Sequence, residues 1–367
     1  MESKINYVSL NEISTIQTGK KDANYGDKGG EYPFFTCADK PILSPTYSFD
    51  GESIILPGNG ANVGMVFYHV GKFEAYQRTY VLNNIKCNSR YLFHHLSAYW
   101  KKFNLSKQFG SATNYIRMQN FLDYTIPLPP IASQRTIANI LDKADEIIRK
   151  RKEAIALTEQ LQKSIFLDMF GDPVINPKGW EVEELNNVIS IISGQVDPKV
   201  EPFIDMPHIG GENLQSNTNN IQNIKTPREL KLKSGKYLFQ SGNVLYSKIR
   251  PYLNQVVITD FSGVCSADIY PLRVIETKIK NDFLIYLLRS KFFLDYAQKH
   301  STRTNIPKIN RPTLLSFRFP CPPINIQKDF SDKCNKITQI QKNFNQYLTE
   351  SENLFNSLLQ KAFKGEL

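Results

Sequence analysis

Asp268, followed by Glu276-Thr277-Lys278, imitates the acid–acid–lysine set with which many nucleases hold a divalent metal ion and activate water. The pattern arises easily by chance, and "IETKIK" reads as a strand leaving a core rather than as the wall of a site. The glycines of "PGNGANVG", Pro57 to Gly64, invite comparison with a phosphate loop. No Gly-Lys-Ser/Thr closes it and more strand follows, so it reads as a turn between strands. The histidines, His69, His94, His95, His208 and His300, lack metal-ligand spacing. There is no G-x-S-x-G elbow, and no Asn-Pro-Pro-aromatic signature of an adenine methyltransferase. The residues therefore favour a protein that binds rather than catalyses, with no catalytic residue, metal site or cofactor of its own.

What remains is a set of long donors and amides in loops. The first half offers Lys20, Lys21, Asn59, Asn62, Gln77, Arg78 and the run Thr113, Asn114, Tyr115, Arg117. The second offers His208, Glu212 and Asn213 in "HIGGEN", then Ser247, Lys248, Arg250, Tyr252 and Asn254 in "YSKIRPYLN", and Thr302, Arg303, Thr304 and Asn305 in "HSTRTN". Arg and Lys can make paired bonds to guanine and Asn or Gln to adenine, while lysines and hydroxyls hold phosphates. A formal net charge of +10 and a pI near 9.1 suit an anionic partner.

These loops need scaffolds, and 367 residues with 41% apolar content are enough for two or three cores. The five cysteines (Cys37, Cys87, Cys265, Cys321, Cys334) are odd in number and form no C-x-x-C pair, which fits a reducing cytoplasm better than a disulfide framework. No segment has the roughly 18 apolar residues of a membrane helix, and the N-terminus reads as no signal peptide. "ESIILPGNG", "NVGMVFYHV" and "QRTYVLNNI" read as strands bounded by turns, and "RYLFHHLSAYWKKF" as a helix.

The plan then repeats. "IPLPPIASQRTIANILDK" returns as "FPCPPINIQKDFSDKCNK", with Ile131 on Ile324 and Gln134 on Gln327 at an offset of 193. "GESIILP" and "TNYIRM" return as "GNVLYSK" and "TNIPKI" at an offset of 191, and "RYLFHHLSAYWKKFNLSKQ" is answered by the helical "DFLIYLLRSKFFLDYAQ". After each Pro-Pro comes an amphipathic pattern of about 40 residues, roughly 60 Å as helix. Ser133 is a candidate cap for the first and Asn325 a start for the second; Gly171, Pro173 and Pro177 stop the first. Ile137, Leu141, Ala144, Ile148, Ile155, Leu161 and Ile165 form one apolar stripe, and Phe330, Ile337, Ile340, Phe344, Leu348, Leu354 and Leu358 the other. Stripes this narrow and long need a partner helix, and each other is the economical choice as an antiparallel pair. That reading asks the segments near Ala144 and Ile337 to lie together rather than each in its own lobe.

The run "IPLPPIASQRTIANILDKADEIIRKRKEAIALTEQLQKSIFLDMFGDP" and the terminal "LLQKAFKGEL" resemble the specificity subunit of Type I restriction–modification systems, across essentially the whole chain. The resemblance implies an α+β fold. Two pseudo-repeated mixed α/β target-recognition domains, 1–130 and 173–322, would be separated by two long helices, 131–172 and 323–367, pairing as an antiparallel coiled coil. It implies a cytoplasmic, non-catalytic reader of bipartite asymmetric double-stranded DNA, one half per domain. The helices would fix the spacer and dock two modification (methyltransferase) subunits and, through them, restriction subunits, with no membrane partner. Methyl donor, magnesium and ATP would sit only on those partners. Against this stand a metal-dependent nuclease using Asp268, Glu276 and Lys278, and a solitary DNA-binding regulator. Adding one heptad to both helices should lengthen the preferred spacer by about three base pairs, since the ruler grows by roughly 10 Å. Methylation of duplexes with graded spacers would measure it.

Overall fold

A computed structural model of the chain describes residues 6–107, 109, 114–301 and 306–367. The chain forms two compact units, one of Met1–Glu153 with Asn345–Leu367, the other of Ala154–Phe344.

In the first unit, strands Thr15–Thr18, Thr79–Asn83, Ser53–Pro57 and Phe67–His69 lie side by side in that order, all antiparallel. Side chains alternate across a strand, so Ser53–Pro57 serves two cores. Ile54, Leu56 and Leu82 face a large core with Leu92, Leu96 and Trp100 of the helix Ser89–Asn104. Ile55 and Val81 face a smaller one with Phe35, Phe49 and Phe73. The strand is buried on both faces and therefore lacks a polar alternation.

The second unit repeats this order with Ile189–Ile191, Ile269–Val274, Val244–Ser247 and Val256–Ile258. Val244, Tyr246, Tyr270 and Leu272 face the large core, while Leu245, Val257 and Ile269 face the small one. The expected helix "DFLIYLLRSKFFLDYAQ" divides into Asn281–Arg289 and Lys291–His300. Ser290 is extended at the break, and its hydroxyl accepts from the Phe293 N–H at 3.2 Å as a fresh cap. "IETKIK" is not a strand. The ladder ends at Val274, and the Lys278 N–H donates to the Ile275 carbonyl in a turn.

The long helices run Ile131–Phe170 and Ile324–Lys364. Each begins directly after its Pro-Pro, where the Gln134 and Gln327 N–H groups donate to the Pro130 and Pro323 carbonyls. Ser133 and Asn325 are thus inside the helices and not at their caps, because proline supplies the first acceptor and has no N–H to satisfy. Gly171, at φ +80°, ends the first helix against Pro177, and the Trp180 indole N–H donates to the Phe170 carbonyl.

Within the first unit, Ile137, Ala138 and Leu141 share the large core with Ala362 and Phe363, and Lys152 pairs with Glu352 at 2.9 Å. Arg151 donates to the Tyr347 carbonyl. Within the second, Phe166 and Phe170 pack on Phe330 and Phe283. Ala144 belongs to the first unit and Ile337 to the second. Within each unit the long helices touch through residues that are not repeat-related, Lys152 with Glu352 and Phe166 with Phe330. Of the two stripes, Ile137, Leu141, Ile148, Phe330 and Ile337 are buried, and Ala144, Ile155, Ile165, Phe344, Leu348 and Leu358 half-buried. Leu161, Ile340 and Leu354 are 49%, 44% and 58% exposed. Near two of them the inward phase is set one residue on, through Gln162, which accepts from the Tyr286 hydroxyl, and Phe355, which joins the large core; one residue is about 100° of helix.

The first unit also buries two histidines. Both Arg90 and His94 hold Asp142, His94 at 2.7 Å. Burial among Tyr99, Tyr124 and Phe363 pushes His95 down to about 4 from its ordinary 6.5. A depressed folded-state value means full stability above pH 6.5, lost as pH falls towards 4, by roughly 3 kcal/mol. The melting temperature of the full chain should drop across this window, and His95→Gln should flatten the drop.

Candidate nucleic-acid interface

Where the Ser53–Pro57 strand ends, the chain turns outward and opens a cavity of ≈ 430 Å³ lined by Gly58, Asn59, Gln77, Arg78, Tyr80, Tyr115 and Ile116. Four of the residues expected to read DNA, Asn59, Gln77, Arg78 and Tyr115, therefore meet in one place. Gly58 keeps it open: a Cβ there would come within 2.3 Å of the Arg78 carbonyl and 2.8 Å of the Tyr80 ring. The floor is tied by the Ile116 N–H donating to the Gly58 carbonyl at 2.9 Å and the Gly60 N–H to the Asn114 carbonyl at 2.8 Å. Next to lining residues in the chain or the ladder, Arg117 lies over the Phe109 ring and donates to the Tyr115 hydroxyl, while Lys21, bridged to Tyr76, lies over Tyr25. Lys20, Gln77, Arg78 and Asn114 are exposed. Gln77 spends one N–H on Asp22, and Asn62 is used internally, donating to the Cys37 carbonyl. Arginine, amide and tyrosine side chains lining one cavity are suited to phosphates and base edges.

The second unit builds the same backbone at the same place. The Ile309 N–H donates to the Lys248 carbonyl at 3.0 Å and the Arg250 N–H to the Pro307 carbonyl at 2.7 Å, and Ile249 bridges to Lys308 as Asn59 does to Tyr115. The side chains differ. Lys248 stands where the first unit has Gly58, and Asp268 where it has Arg78; the two pair at 3.3 Å. Arg311 lies over Tyr270 and Tyr237. Arg250, Tyr252 and Glu212 are exposed.

Four second-unit candidates are corrected by burial. Asn213 staples its own loop, accepting from the Gly210 N–H and donating to the Gln222 and Asn223 carbonyls. Asn254 donates to Asn217 and to the Arg289 carbonyl, and Ser247 to the Ile249 carbonyl. His208 is 4% exposed; burial, with Lys236 nearby, holds it below the ordinary imidazole range and neutral. Amides and hydroxyls in loops read alike whether they face solvent or brace the turn. Thr113 and Thr302, Arg303, Thr304 and Asn305 lie outside the described residues. Asp268 and Glu276 flank a six-residue strand about 20 Å long, so they form no shared metal site. Among the described residues no cluster of three potential metal ligands occurs, and no helix is long and apolar enough to cross a membrane. All five cysteines are free thiols. Sequence reasoning missed Gly58, taken only as a turn residue, together with Tyr80, Tyr270 and Arg311, whose place in the site depends on strand register.

The family model described as Type I restriction modification DNA specificity domain matches residues 2–157 and again 177–353. The chain belongs to that family. It is 32% identical to the EcoDI specificity subunit of Escherichia coli, over 98% of this chain and 88% of that protein. It is 25% identical to the MjaVIII specificity subunit of Methanocaldococcus jannaschii, over 91% and 86%. Its fold is like that of the S subunit from M. genitalium, at 14% identity and TM-score 0.62, covering 99% and 97% of the two chains. It is also like a chain from a structure concerned with complex assembly and conformational transition of the type I R-M system, at 17% and 0.56 over all of both. The two matched stretches of this Type I specificity chain begin 175 residues apart, the offset that sets "WEVEELNNVISIISG" on "YVSLNEISTIQTG".

Two substitutions separate readers from braces. Arg78→Ala should weaken DNA binding by about 1–3 kcal/mol without lowering the melting temperature. Asn213→Ala should leave three loop groups unpaired and cost stability instead, about 1–3 kcal/mol. Fluorescence anisotropy and thermal melts on both variants check this.

Proposed function

We propose that this chain is the non-catalytic DNA-reading subunit of a Type I restriction–modification complex, each unit gripping one half of a bipartite, asymmetric duplex site. The observation that carries this reading is the pair of equivalent backbone frames with different side chains, Gly58 and Arg78 in one, Lys248 and Asp268 in the other. A reader of a symmetric site needs two identical grips; two unlike grips on one frame suit unlike half-sites.

In this proposal the long helices pair antiparallel as a coiled coil and set the distance between grips. Support comes from each unit separately: Lys152 meets Glu352 in one and Phe166 meets Phe330 in the other, so contact positions rise along one helix as they fall along its partner. Two modification subunits dock on these helices and restriction subunits join through them, in the cytoplasm, with methyl donor, magnesium and ATP all on the partners. Sequencing methylated adenines in the host, with and without this gene, is the test. A two-part motif that disappears with the gene is the expected result. A continuous motif, or methylation unchanged by the deletion, would sink the reading.

A further inference from the structure

Gln134 and Gln327 hold the same position in both halves of the chain, and both are buried, at 3% and 0% exposure. Each sits at the fourth residue of a long helix. The Gln134 amide nitrogen donates to the Pro129 carbonyl at 2.7 Å, and its oxygen accepts at 2.8 Å from the N–H of Asn88, the residue capping the helix Ser89–Asn104. Gln327 repeats both bonds: its nitrogen donates to the Pro322 carbonyl at 2.7 Å, and its oxygen accepts at 2.9 Å from the N–H of Lys280, which precedes the helix Asn281–Arg289.

A core filler needs neither bond, and shape alone would be met by methionine or leucine. A primary amide is the neutral side-chain group that donates and accepts through adjacent atoms. Here it ties three backbone segments, namely the Pro-Pro approach, the long helix and the start of the unit's own helix. Buried bonds with no competing water are directional, so they fix an angle as well as a contact.

We propose that Gln134 and Gln327 are positioning residues, the joints that set the angle between each DNA-gripping unit and the long helix it launches, and so the sharpness with which spacer length is discriminated. This rests on the bipartite reading above. The repeated geometry supports it: the two units differ in the side chains at the strand end yet both keep these two bonds, Gln327 adding one to the Lys278 carbonyl at 3.2 Å. What the joint fixes is common to both halves, as a spacer is, and independent of base identity.

The test uses the full chain with its modification subunits and duplexes carrying the host's own methylated motif, with the spacer native or changed by one base pair. The wild-type complex should bind the native spacer far better. Gln134→Met and Gln327→Met, which keep volume and lose both bonds, should each reduce that preference about tenfold, the equivalent of one net hydrogen bond. Binding of each half-site alone should hold. Asn88→Pro provides a second route. It removes the donor N–H at a φ of −67° that proline adopts and leaves Gln134 in place, so it should relax spacing in the same way. It also removes the side-chain cap on the Tyr91 N–H, and Asn88→Ala, which loses only that cap, should keep the wild-type spacer preference. Val257→Ala, in the small core of the second unit away from the joint, is the control for lost stability and should weaken every spacer alike. Undiminished spacer preference in the glutamine variants, or equal relaxation by Val257→Ala, overturns the joint. A wild-type complex indifferent to spacer overturns the bipartite reading and the joint with it.

Discussion

A 40-residue amphipathic helix cannot stand in water with its apolar stripe uncovered, and this constraint organises the molecule. Each unit meets it in the same way, by drawing the opening turns of one long helix and the closing turns of the other into its large core. Ile137 and Leu141 meet Phe363 in the first unit, and Phe330 and Cys334 meet Phe166 in the second. The second unit is one continuous run, Ala154–Phe344, but the first is not. The first unit needs residues more than 190 positions downstream of its own helix, Asn345–Leu367. The first unit's core is therefore complete only with the closing turns of the second long helix in place.

The same frame leaves the reading surface free to vary. Strand alternation sends Ile54 and Leu56, or Val244 and Tyr246, to the large core and commits the sheet. Beyond the strand end, backbone bonds to Ile116 and Ile309 hold the turn in both units, with Gly58 close against the Arg78 carbonyl in one and Lys248 paired with Asp268 in the other. One backbone frame thus carries a glycine and an arginine on one side and a lysine–aspartate pair on the other. Divergence of these side chains on a duplicated fold follows from that separation of tasks.

Much of this was legible in the chain. The duplication, the strand runs, the two helices and the basic loops could be read because each depends on local spacing: period two, period 3.6, or a motif returning at a fixed offset. The helix phase around Leu161 and Leu354 was read one residue off, because leucines on adjacent faces both satisfy a three-four pattern and only the partner surface chooses between them. The break at Ser290 was missed because both halves keep apolar spacing through it.

The sequence by itself determined what the repeats are, where the helices start to within a few residues, and that the chemistry is recognition. Tertiary structure alone decided which polar residues line the recess and which brace a loop. Asn59 and Asn213 look alike in a string of letters, yet one lines a recess and the other holds its own loop shut. It decided, too, that Gly58 opens a site rather than merely turning a strand, and that Gln134 and Gln327 act as paired clamps. The physical reason is common to all three. A side chain's role depends on which distant backbone groups need a partner, and strand register and helix packing settle that only when the chain is folded.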